Sequence, residues 1–178
     1  LWPTEAAFGY VGGTVAKAVD PTGLTKTKLC SVYFCDVLPG RFGIKPGHRF
    51  TCVSIIRPDG TRRSCSGGLN PRSDGVDQLV GPGVFGDDNY PCPVAGLPDV
   101  KCSLVVAGDN NHDICRFADE VCKCLEKGRK NPGLYAGLVN NCVHFSYWVL
   151  ACACQAARPP GLLGNLCEQF LDVGFRKK

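Results

Sequence analysis

Thirteen cysteines in a chain of 178 residues constrain this protein more than any other feature. Each must end as a bridge, a metal ligand, a reactive thiol or a small buried side chain. They fall at positions 30, 35, 52, 65, 92, 102, 115, 122, 124, 142, 152, 154 and 167. Structural zinc sites want paired ligands two to four residues apart, usually on turns. Cys122 with Cys124, and Cys152 with Cys154, are separated by a single residue within helical sequence, so the members of each pair point to different faces. The three histidines have no ligand spacing either, and no metal or other cofactor is expected. Disulfides are the better reading for part of the set. An odd total leaves at least one thiol free within a single chain, and a core of this length does not need staples. The expectation is therefore one reactive cysteine, with some but not all of the other twelve bridged. The redox compartment stays open at this point.

The length fits one domain with its own core. Apolar residues at 44% and charged residues at 20% are ordinary for a globular protein and argue against disorder. The longest apolar run, around residues 148–153, is too short to cross a bilayer and lacks a basic flank or cleavage signature, so neither a transmembrane segment nor a signal peptide is expected. Starting at Leu1 and lacking Met throughout, the chain reads as a processed product or a domain excised from something longer. Its net charge of +4 comes from scattered basic residues (Arg62 and Arg63; Lys127, Arg129 and Lys130; Arg176 to Lys178). Nucleic-acid binding would want a longer basic stripe with interleaved aromatics, and none is present.

No repeat or linker divides the chain. Residues 1–40, rich in Gly, Pro and Thr, read as an irregular extension with a candidate strand at 31–37. Pro46-Gly47 breaks the chain before the β-branched and aromatic run 48–56, which reads as a strand. Pro58-Asp59-Gly60 is a turn signal, and 61–66 is the returning strand. Residues 67–99, dominated by Gly, Pro, Asp and Asn, read as one long loop of the kind that forms lids or binding walls. A further strand is predicted at 100–106. A helix then opens at an Asn/Asp cap within 108–113. Ile114, Phe117, Ala118, Val121 and Leu125 form its apolar face, and Gly128 and Pro132 are expected to end it. The next helix starts near Asn141–Cys142 and is stopped by Pro159-Pro160-Gly161. A short terminal helix is expected around 166–173.

The chemistry concentrates at Cys142. It stands where the pair Asn140-Asn141 gives way to an amphipathic helix, and N–H groups at a helix start favour a thiolate and donate to an oxyanion. A thiolate nucleophile needs a partner base, usually His. His144 lies two residues on, on another side of the same helix, and reads as a packed or capping residue. His112 falls in the first turn of the preceding helix and reads as exposed. His48 opens the strongest strand, the rigid kind of element on which a base is held. A third member should orient the imidazole, and hairpin geometry offers Ser64, Ser66 or Asn70 without choosing among them. Asn141 either shapes the oxyanion site or caps the helix.

The order of Gly-His strand, hairpin, glycine-rich stretch, helix, and Asn-Cys-x-His-Phe at a helix start resembles the circularly permuted papain-like hydrolases. Asn141-Cys142-Val143-His144-Phe145-Ser146 is similar to the nucleophile segment of the PPPDE (deSUMOylating isopeptidase-like) family. The lecithin:retinol acyltransferase-like proteins share a similar segment. Ser66-Gly67-Gly68 resembles the glycine-rich stretch after the return strand in PPPDE proteins. The resemblance covers about residues 45–155. It implies an α+β, permuted papain-like (NlpC/P60-like) fold: a small antiparallel sheet packed against helices, with the nucleophile at a helix N-terminus. It also implies Cys142 as nucleophile and His48 as base. The long 67–99 loop, the first 40 residues and the cysteine count depart from those intracellular families and suggest a divergent branch. A secreted or delivered effector is the favoured setting and the cytoplasm the alternative, with any immunity or delivery partner unassigned. The expected substrate is a peptide, isopeptide or peptidoglycan amide, cleaved through a thioester. One alternative is a lipid acyl hydrolase or acyltransferase with the same dyad, with Leu79 to Phe85 and Leu162-Leu163 suited to an acyl chain. The other is a non-catalytic, disulfide-rich binding or toxin module in which Cys142 is bridged.

Overall fold

A computed structural model describes residues 28–37, 48–71, 80–86, 92, 100–109, 111–132, 134–136 and 141–174. The first 27 residues, the Pro46-Gly47 breaker and most of 87–99 lie outside the described residues. The elements run β1 (Leu29–Val37), β2 (His48–Ile56), β3 (Arg62–Pro71), β4 (Val80–Gly86), β5 (Val100–Asp109), α1 (His112–Lys130), β6 (Leu134–Ala136), α2 (Cys142–Ala157) and α3 (Gly161–Gly174). The protein is α+β: the strands form an antiparallel sheet in the order β5-β1-β2-β3-β4-β6, with three helices beside it.

β2 occupies the span its β-branched and aromatic residues predict. Side chains alternate across a strand, and here both faces are covered. Val53 and Ile55 join the main core beneath the helices. Phe50 and Cys52 face the other way, into a smaller cluster with Cys35 and Cys92. The turn into β3 is closed by Gly60 N–H donating to the Arg57 carbonyl at 2.9 Å, and by Asp59 accepting from both Thr61 N–H and its hydroxyl. Gly60 takes φ +81°, a conformation glycine adopts without steric cost.

Three sequence expectations about the elements need correction. Residues 29–37 belong to no extension, because β1 is an interior strand paired on both sides, with β2 and β5. The span 67–99 is not one loop: β3 continues to Pro71, and β4 pairs with β3 and with β6. Its Gly-Pro-Gly composition gives no strand signal, and the pairing comes from neighbours distant in sequence. Gly128 does not end α1, which runs to Lys130 and is capped by Asn131. Gly128 is buried where the ring of Phe145 crosses, and a Cβ there would sit 2.5 Å from Phe145 Cζ. That glycine serves helix packing.

The Asn111 side chain caps α1 by accepting from Asp113 and Ile114 N–H. Phe117, Ala118, Val121 and Leu125 are buried as the periodicity predicts, with Ile114 half-buried. Six bridges cross-link the fold. Cys30–Cys115 and Cys65–Cys122 fix α1 to β1 and β3, and Cys124–Cys152 and Cys154–Cys167 link α1 to α2 and α2 to α3. Cys35–Cys102 and Cys52–Cys92 lie on the opposite face of the sheet. Partial bridging is therefore wrong: all twelve cysteines other than Cys142 are paired. The buried faces of the helices are the seams where a second cysteine arrives. Residues two apart on a helix differ by about 200°, so Cys122 and Cys124 reach different partners, as their spacing predicted. Among the described residues, no helix is long and apolar enough to cross a membrane.

Candidate active site

The register of β2 with β3 runs from Ile56↔Arg62 to Thr51↔Gly67. His48 and Arg49 lie past its end, and the start of α2 meets the sheet there. Asn141 caps this helix, its Oδ1 accepting from Val143 N–H at 3.0 Å and His144 N–H at 3.1 Å. Cys142 follows as the first helical residue, 6% exposed and the one cysteine of thirteen outside a disulfide. Its carbonyl accepts the Ser146 hydroxyl at 2.9 Å.

Two groups from β2 reach the sulfur. Arg49 N–H donates to Cys142 Sγ at 3.4 Å, and the His48 side chain is hydrogen-bonded to it. Burial pushes the thiol pKa up. The hydrogen bond and charge of His48, with the N–H groups of Arg49 and Val143, outweigh that penalty and hold it below its ordinary value. Direct bonds to the charged form of an acid favour ionisation, so this thiol is set toward thiolate.

His48 belongs to the sheet face opposite the helices, in the same row as Phe50, over which its ring stacks at 6.3 Å and 20°. Gly68 of β3 lies against the imidazole. The site therefore joins the two faces at one end of the sheet, with Cys142 from the helix layer and His48 from the other side.

The three orienting candidates separate by register. Ser66 pairs with Cys52 and Ser64 with Ser54, four and six residues along β2 from His48, or about 13 and 20 Å at strand rise. Neither is brought to the imidazole. Continuing the same register sets Asn70 across from His48, where it pairs on its other side with Val84. Asn141 acts as the cap, and its Oδ1 also meets His144 Nδ1 at 3.0 Å. His144 is thus placed at the cap, and His112 is exposed, 3.6 Å from Asp113. Sequence reading missed Arg49, its partner Asp36, and the role of Gly68. The β2 register, had it been known, would have drawn attention to the first two.

Among the described residues, no group of three His, Cys, Asp or Glu side chains could hold a metal ion. An open cleft of about 920 Å³ lies between α2 and α3, lined by Lys127, Gln155, Arg158 and Glu168 among others. Another of about 420 Å³ lies beside α1, around Arg63 and Lys130. Neither includes Cys142 or His48. Comparison with known proteins adds no relative: no family model, no curated protein and no solved structure matches this chain.

Proposed function

We propose that this chain is a Cys–His thiol hydrolase with a permuted papain-like arrangement, acting on an amide bond of a peptide, isopeptide or peptidoglycan substrate. One observation carries the reading: the single unbridged cysteine is the first residue of a helix and is hydrogen-bonded to a histidine 94 residues earlier in the chain. In a protein with twelve cysteines paired, a thiol kept free and biased toward thiolate has the character of a nucleophile. Cys142 Sγ attacks the carbonyl carbon. With the Val143 and His144 N–H groups turned to Asn141, the Cys142 N–H is the donor assigned to the oxyanion. The His48 imidazolium protonates the departing amine, leaving a thioester. His48 then takes a proton from water, which attacks the thioester and restores the thiol.

Amide is preferred to lipid ester because the Asn141 to Ser146 segment is most similar to the isopeptidase-like branch. Of the residues first suited to an acyl chain, Leu162 is exposed, while two others are engaged in packing. Phe85 packs edge-on to Phe145 at 5.8 Å with Arg129 over its ring, and Leu163 is buried. Six bridges fit an oxidising compartment, in keeping with a secreted or delivered effector. The same bridges are compatible with a second reading, a disulfide-rich binding module without catalysis, but Cys142 is not bridged as that reading expected.

The test combines labelling and turnover. Iodoacetamide on the native, unreduced protein should modify Cys142 and half-saturate in rate at a pH below that of an ordinary thiol, and His48→Ala should slow labelling at neutral pH. Muropeptides, peptide and isopeptide conjugates, and phospholipid vesicles are then incubated separately and their products read by mass spectrometry. Amide cleavage lost in both Cys142→Ala and His48→Ala is expected, and the two losses should not add. Fatty-acid release alone would transfer the proposal to an acyl hydrolase. An unreactive Cys142 with no turnover would favour the binding module.

A further inference from the structure

Arg49 reaches the thiol through its backbone, and its side chain is held from the opposite direction. The guanidinium grips Asp36 with both ends of its fork, Nε to Oδ1 at 2.7 Å and Nη2 to Oδ2 at 2.9 Å. It also lies 5.3 Å from the centroid of the Phe34 ring, which packs edge-on against Tyr147 of α2 at 5.5 Å. Asp36 is the cross-strand partner of Arg49 in the β1–β2 ladder. The clamp therefore closes the β1 side of β2 at the level where the β2–β3 register has already ended.

We propose that Asp36 is a positioning residue for the nucleophile: by fixing Arg49 against β1, it holds the first two residues of β2 so that Arg49 N–H and the His48 imidazole both reach Cys142 Sγ. This rests on the Cys–His reading above. Bidentate Arg–carboxylate pairs add geometric definition that a single ion contact lacks. Exposed ion pairs contribute little to stability, and the two side chains here are 26% and 37% exposed, so the consequence lies in geometry. Among the described residues, the charged or titratable groups around the thiol are His48 and Arg49 on β2, Asp36 on β1, and His144 and Tyr147 on α2.

Positioning and plain electrostatics predict opposite signs. Removing the Asp36 charge alone leaves the thiolate with one less negative neighbour, which lowers the thiol pKa. Loss of positioning loosens the N–H and imidazole contacts, which raises it. The experiment is the pH profile of iodoacetamide alkylation of native wild type, Asp36→Asn, Asp36→Glu, Arg49→Lys and His48→Ala. Asp36→Asn should move the half-maximal pH upward by about half to one unit and slow alkylation near neutrality about threefold to tenfold. The rate plateau at high pH should be unchanged, and Asp36→Glu should recover part of the shift. Arg49→Lys keeps the charge but loses the fork; it should shift the same way, and it serves if Asp36→Asn does not fold. A half-maximal pH that is unchanged or lowered in these variants, while His48→Ala still slows alkylation, overturns the role of Asp36 and leaves the dyad standing. A wild-type profile of an ordinary thiol, indifferent to His48→Ala, overturns both.

Discussion

Gly68 leaves no room for a methyl group beside the imidazole. A Cβ at that position would lie 2.9 Å from His48 Cε1, 2.9 Å from His48 Nε2 and 2.9 Å from the Arg49 carbonyl oxygen. The ring can swing away, but the carbonyl belongs to the strand backbone that also presents Arg49 N–H to the sulfur. Relief therefore disturbs both contacts that hold the thiol pKa down. Gly68→Ala is expected to slow Cys142 alkylation at neutral pH toward the level of His48→Ala, at a stability cost of about 1–3 kcal/mol typical of overpacking. Alkylation kinetics with chemical denaturation check it. Wild-type reactivity in a stable Gly68→Ala protein would show that the imidazole does not need this approach. The thiol has a stability consequence of known sign. Its folded pKa lies below its unfolded one, so its contribution is complete above the unfolded value and is lost as pH falls through the folded value.

At the level of elements, the start of α2 carries both a structural and an electrostatic duty, and Asn141 separates them. Its Oδ1 satisfies two of the otherwise open N–H groups of the first turn. Asn141→Ala should cost about 0.5–2 kcal/mol, seen as a lower midpoint in urea. Asn141→Asp keeps the cap but sets a negative charge beside the thiol, so it should preserve stability while slowing alkylation near neutrality. If Asn141→Asp alkylates as fast as wild type, the charge of the cap does not reach the sulfur. This helix start was legible in the sequence because the cap residue, the cysteine and the apolar spacing coincide within a few positions. The β2–β3 hairpin was legible for a similar reason, a β-branched run followed by Pro58-Asp59-Gly60. β4 and β6 were not. Val80–Gly86 contains three glycines and a proline, and Leu134–Ala136 is three residues long. Each becomes a strand through the register of its partner, which no local pattern encodes. The same limit hid Asp36, thirteen residues from Arg49 in sequence and significant only once β1 and β2 are paired.

For the molecule as a whole, the disulfides are the test that depends least on finding a substrate. Parity in the sequence required at least one free thiol but did not say which, and the expectation of partial bridging rested on a core of this length needing no staples. In the fold the bridged faces meet. Cys115 and Cys122, seven residues apart on α1, stand over β1 and β3 and find Cys30 and Cys65 there, while Cys124 turns to Cys152 of α2. Bridges that close 85, 57 and 28 residues of chain each restrict the unfolded state, a stabilisation of about 3.5–4.5 kcal/mol apiece in the chain-entropy account. Thiol titration of the unreduced protein in denaturant should return one thiol per chain, and none in Cys142→Ala; after reduction the wild type should return thirteen. Peptide mapping without reduction should recover Cys30 with Cys115 and Cys65 with Cys122. Reductant added to the native protein should lower its unfolding midpoint well before denaturant alone does, because the sheet and helix layers are tied at both seams. Several thiols titrating before reduction would mean that the layers are held by packing alone. In that case a free Cys142 would lose its distinction among the thirteen, and with it the observation on which the catalytic reading stands.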